Sequence, residues 1–214
     1  MQQFLIIAAA HFLALLSPGP DFFLIARTSV AAGWRVASGA CLGVALANGA
    51  FIVAAFSGVS MFRPDSPIFI AFQIVGCLYL LYLGAIFIRY SGRPTQLAAQ
   101  NGVVQEATSS ASSAWLRAAG MGFLSGILNP KNALFYVSLA AMLTGPYAGS
   151  TWKLFYGLWM FSVVLLWDLV VAAMMGNEAM LQRFSGALPW LERASGAVLI
   201  VLALGVLVTL LNKG

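Results

Sequence analysis

The chain has 214 residues, 61% of them hydrophobic and only 8% charged, with a formal net charge of +5. Soluble domains devote about a quarter of their residues to charge, because charge is what covers a wet surface. This balance excludes a soluble domain, and the scattering of Lys and Arg to the ends of apolar runs argues against a nucleic-acid binder.

The first apolar run, Phe4–Ala26, has 23 residues. As helix it would reach about 34 Å, against a hydrocarbon core of about 30 Å. Inside it lies Ser17-Pro18-Gly19-Pro20-Asp21. Proline removes a backbone donor and clashes with the preceding turn, so the helix must break there. Lipid cannot satisfy the freed polar groups, and such a break survives only against protein or a water-filled cavity. The run therefore predicts a broken membrane helix with a polar site at mid-depth. Met1-Gln2-Gln3 lacks the positive start of a signal peptide, so this first helix is expected to stay.

Five further runs follow: Val36–Phe62, Ile68–Ile88, Ala118–Leu143, Leu154–Met175 and Ala194–Leu211. Each can span, the second and fourth with a tilt or a break. The expected fold is an all-α polytopic membrane protein of six transmembrane helices, broken in the first and fourth. Cys41 and Cys77 sit in apolar runs and read as small packing residues, with no disulfide or metal implied. Gly39-x-x-x-Gly43 and Gly122-x-x-x-Gly126 read as close-packing helix faces, and Asn48 as a residue bonding between helices. Arg89–Arg117, rich in Ser, Gln, Thr and Ala, reads as a flexible linker. Glu178–Glu192 mixes apolar and polar residues and reads as a short helix lying on the membrane surface.

Phe12–Pro18 lies over Leu124–Pro130 at an offset of 112, and Trp34-Arg35 matches Trp152-Lys153 at an offset of 118. Gly76 and Gly84 loosely match Gly196 and Gly205. Two copies of a three-helix unit must insert with opposite orientation, which is the inverted-repeat plan of many secondary transporters. The chain then divides into a first repeat (1–89), a linker (90–117) and a second repeat (118–214). On one side of the membrane fall Arg27, Arg35, Arg89, Arg93, Arg117, Arg183 and Arg193; on the other fall Arg63, Lys153 and Lys213. The richer side is expected to be cytoplasmic, which places the linker there and both termini outside.

Asn129-Pro130-Lys131 forms the second break. Asparagine is a favoured N-cap and proline a favoured first helical residue, so a half-helix should start there, as another should at Gly19-Pro20. In inverted repeats the two N-termini face each other near the midplane, where their N–H groups and dipoles suit an anion such as a carboxylate. Lys131 adds a full positive charge. Asp21 and Asp168 are carboxylates at nearby depth, so the set suits a ligand bearing both an anion and an ammonium, of which a zwitterionic amino acid is the simplest. Each has a plainer reading. Asp21 could be only a cap, Lys131 only a partner for Asp21, and Asp168 only structural. His11 reads first as a hydrogen-bonded structural histidine and second as a proton relay.

His11 through Asp21 with Phe22-Phe23, and then Asn129-Pro130-Lys131, resemble the signature segments of the LysE/RhtB family of amino-acid exporters, most closely its threonine and homoserine efflux branch. The resemblance spans essentially the whole chain. It implies secondary active efflux of amino acids across a bacterial inner membrane by proton-driven antiport, with no cofactor. Carried over by motif, Ser17, Pro18, Gly19, Pro20, Asp21, Asn129, Pro130 and Lys131 would form the substrate site. Asp21, Asp168 and His11 are the proton-coupling candidates. Asp168 stands outside that branch's pattern and leaves room for a substrate with more positive charge. The expected partners are an amino-acid substrate, protons and the lipid bilayer, not nucleic acid, and a homo-oligomer is left open. Export of a cation or another small metabolite is the rival within transport. A membrane enzyme is the rival outside it, and with one histidine and no nucleophile–base pair it fits poorly.

Overall fold

The computed structural model describes residues 2–16, 19–60, 66–91, 111–142, 149–175 and 178–211, and these residues form eight α-helices. They are α1 (Gln2–Leu16), α2 (Pro20–Ala32), α3 (Trp34–Ser60), α4 (Pro67–Tyr90), α5 (Ala111–Ile127), α6 (Pro130–Met142), α7 (Ser150–Met175) and α8 (Glu178–Leu211). Most of the expected linker, and Ser17 and Pro18, lie outside the described residues.

Both expected breaks are present. Phe4–Leu16 and Pro20–Ala32 meet at 54°. Gly19 precedes α2 in extended conformation, with Pro20 at the first helical turn, and its carbonyl accepts from Phe23 N–H at 3.3 Å. α5 ends on a tightened turn, Asn129 N–H to Gly126 O at 3.2 Å, and α6 starts at Pro130. Proline lacks the N–H a continuing helix would need but fits a first turn, so each break is also a start. α2 stops at Gly33, whose φ of 84° is open to glycine, and its N–H closes on Ser29 O at 2.9 Å.

Among the described residues, four helices are long and apolar enough to cross a membrane: Trp34–Gly58, Pro67–Arg89, Ser150–Met175 and Pro189–Val208. The bent α1–α2 pair is a fifth candidate if counted as one span. α5 and α6, at 17 and 13 residues, are each too short alone. The separate surface helix expected over Glu178–Glu192 is not seen. Instead α8 runs unbroken from Glu178 through Pro189 into the last apolar stretch.

The helices approach closely where side chains are smallest. On α3, a Cβ at Gly39 would strike the Trp115 carbonyl and one at Gly43 the backbone of Ala119 and Phe123. In return, a Cβ at Gly122 of α5 would strike the Ala40 backbone, and one at Gly126 would lie 2.7 Å from Ala47 Cβ. The two expected packing faces are thus the two sides of one α3–α5 contact, the small-residue device by which helices associate in lipid. Gly84 of α4 and Gly196 of α8 do the same, each within 2.7 Å of the other's carbonyl by this measure. Cys41 and Cys77 are free thiols packed in the interior.

Candidate functional site

α7 buries Tyr156, Met160, Val164, Asp168, Val171, Ala172 and Met175. The spacing of three and four keeps them on one stripe, and Asp168 is carried inward on it. α1 turns Ile7, Ala10, His11 and Ala14 inward in the same way. Between these stripes and the two helix breaks lies a cleft of about 580 Å³, counting the space at its mouth. His11, Gly19, Asp21, Asn129, Lys131 and Asp168 all line it. Of the other expected site residues, Pro20 is exposed at the start of α2, and Pro130 opens α6.

The two breaks are joined through Asp21. Its carboxylate accepts from Ser125 Oγ at 2.5 Å, Asn129 Nδ2 at 3.2 Å and Asn132 Nδ2 at 2.9 Å. No side chain caps α2, so Asp21 is not the cap of its own helix. It ties that helix to the opposite break. Asn129 works in two directions: Oδ1 accepts from Lys131 N–H at 3.1 Å, capping α6, while Nδ2 holds Asp21. Ser125 and Asn132 do not stand out in the sequence. The available signal was position: Asn132 is one turn beyond Asn129 and Ser125 one turn before it.

Lys131 reaches back across the cleft. Its Nζ donates to Ala14 O at 3.4 Å, one of the carbonyls that the end of α1 leaves without an intrahelical donor, and lies 4.9 Å from the centre of the Phe87 ring. A Cβ at Gly19 would stand 3.9 Å from this ammonium, so the uncapped start of α2 and the cation are neighbours.

His11 is fully buried. Its Nε2 pairs with the Tyr136 hydroxyl at 3.2 Å, and its ring packs near Phe135, Tyr136 and Trp159. Phe22, from the first signature segment, lines the cleft, as do Tyr136 and Trp167, which sequence reasoning did not single out. Asn48 lines it as well, but its amide donates to Val44 O at 2.8 Å. The interhelical bond expected of it is replaced by a bond within its own helix, since the i−4 carbonyl is the nearest acceptor. Asp168 is 8% exposed, and its Oδ2 has no hydrogen-bond partner among the described residues.

A cleft at two broken helices, holding one ammonium and two carboxylates within a bundle of apolar helices, is the arrangement of a membrane transporter rather than an enzyme. The sequence pattern of the LysE type translocators matches residues 12–210, and the chain belongs to that family. It is 26% identical over 205 residues to the threonine efflux protein of Escherichia coli strain K12, covering 92% of this chain and 94% of that one. The Salmonella typhimurium threonine efflux protein is 25% identical over the same share of each chain. The leucine efflux protein of Klebsiella pneumoniae is 30% identical over 125 residues, 58% of this chain and 55% of that one. No solved structure matches.

Proposed function

We propose that this protein is a secondary active exporter of amino acids of the threonine or homoserine type, driven by protons across the bacterial inner membrane. The observation that carries this reading is the meeting of the two helix breaks in one cleft, with Lys131 beside the uncapped start of α2. A substrate carboxylate would sit between the α2 N–H groups and the Lys131 ammonium, both of which favour an anion. The start of α6 contributes less, because Asn129 already caps it. The substrate ammonium would face Asp168 on α7. The relatives named as threonine and leucine efflux proteins support an amino acid over another metabolite.

The same reading takes α5 and α6 as one broken crossing, giving six spans in two inverted three-helix repeats (1–89 and 118–214) around the 90–117 linker. Gly19 and Lys131, equivalent at the offset of 112 that relates the two breaks, are neighbours across the cleft, which supports it. The linker is placed in the cytoplasm and both termini in the periplasm, following the distribution of Lys and Arg.

The test is counterflow. Purified protein in liposomes preloaded with unlabelled amino acid should accumulate the labelled form transiently, with threonine and homoserine tried first. Absence of counterflow for every amino acid, from protein shown to be folded, would overturn the reading.

A further inference from the structure

We propose that Asp168 is the group at which the substrate ammonium and the coupling proton exclude one another, while Asp21 remains a fixed strut between the two helix breaks. This rests on the reading of the cleft as the amino-acid site. The two carboxylates line the same cleft but differ in their surroundings. Asp21 is occupied by Ser125, Asn129 and Asn132, three donors that hold it in place whether or not the cleft is filled.

Asp168 is more deeply buried and less satisfied, with Oδ2 lacking any hydrogen-bond partner among the described residues. An ionised carboxylate buried without a partner costs several kcal/mol, so it requires a proton or a cation. The groups that could supply or perturb one are His11 on α1, Asp21 on α2, Cys41 on α3, and Lys131 and Tyr136 on α6. His11 Nε2 is engaged with Tyr136, and Lys131 donates to Ala14 O. What remains to meet Oδ2 is whatever enters the cleft.

An amino acid whose carboxylate lies by Lys131 and the start of α2 brings its ammonium as that cation. As it binds, the proton leaves the Asp168 carboxyl for water at the open face of the cleft, and the O–H donor is replaced by N⁺–H donors. At the opposite face the exchange reverses. One carboxylate does not hold both, so substrate moving out obliges a proton to move in. By the same linkage, each ligand weakens the other equally.

The experiment uses a counterflowed amino acid, with threonine and leucine first and then the remaining proteinogenic set. Its affinity is measured from pH 5 to 9, and proton release on binding is followed in weak buffer. Wild type should gain affinity with rising pH by up to about tenfold per unit and then level off, releasing up to one proton per substrate bound. Asp168→Asn should release none, lose the pH slope, and lose about tenfold or more of its preference for the amino acid over the matching 2-hydroxy acid. Asp168→Glu should restore slope and release. Asp21→Asn should keep the proton release if it still binds. Wild-type binding that is flat with pH and releases no proton overturns the proposal even if Asp168→Asn fails to fold. Loss of release in Asp21→Asn but not in Asp168→Asn overturns it too, and gives the role to Asp21. Failure of every amino acid to show counterflow removes the transport reading and this inference with it.

Discussion

Asn132 Nδ2 lies 2.9 Å from Asp21 Oδ2, joining α6 to α2 across 111 positions of sequence. With Ser125 and Asn129 on the same carboxylate, this one side chain sets the distance between the two breaks. The spacing of the helix N-termini, and hence the shape of the cleft, depends on it.

The clasp should therefore be measurable as coupling. Asp21→Ala leaves Ser125, Asn129 and Asn132 with unmet donors, and each partly buried group costs about 1–3 kcal/mol when orphaned. In thermal unfolding of detergent-purified protein, Asp21→Ala and Asn132→Ala should both lower Tm. A double-mutant cycle between them should give a coupling of about 0.5–3 kcal/mol. Strict additivity of the two would mean that the contact carries no stability.

Asn129 serves as both cap and strut, and two substitutions separate these roles. Asn129→Asp keeps a capping oxygen but sets a second carboxylate against Asp21, so it should lose both stability and export. Asn129→Ser keeps only the cap, which by itself is worth about 1 kcal/mol, and should retain the α6 start while loosening the clasp. Wild-type Tm and transport in Asn129→Asp would show that Nδ2 does not hold Asp21.

Lys131→Ala should weaken substrate binding while the protein still inserts and folds. Lys131→Arg should recover only part, because a planar guanidinium is bulkier than the ammonium held between Ala14 O and the Phe87 ring. Undiminished binding in Lys131→Ala, measured by counterflow competition, would remove the cation from the site.

The α3–α5 contact gives an internal control. Gly43→Ala drives a methyl into the backbone of Ala119 and Phe123, which cannot move aside as a side chain can, and should cost about 1–3 kcal/mol or more. Gly120→Ala, on the open face of α5 with nothing within 4 Å, should be neutral or stabilising by up to about 1 kcal/mol. Equal Tm values for the two would contradict the packing described.

Orientation can be read with thiols, since the native Cys41 and Cys77 are buried. Single cysteines at Gln2 and Lys213 should react with an impermeant reagent on intact cells, and one at Gln105 should react only after lysis. The reverse pattern would invert the topology.

What the sequence determined by itself was local. An apolar run with two prolines and a glycine must break, and an Asn-Pro pair must begin a helix, because these outcomes depend on a missing N–H and on covalent geometry within a few residues. Glycines four apart likewise marked faces where backbones approach. Which face meets which, and at what rotation, was decided by packing between segments about a hundred residues apart, to which a local period is blind. Asp21 thus looked like a cap or a ligand group and stands in the structure as a strut, because Ser125 and Asn132 arrive beside it only when α5 and α6 are in place. Asp168 had no motif around it. Its place at the cleft follows from the stripe that α7 buries, and its unpartnered oxygen from what the other helices do not bring to it.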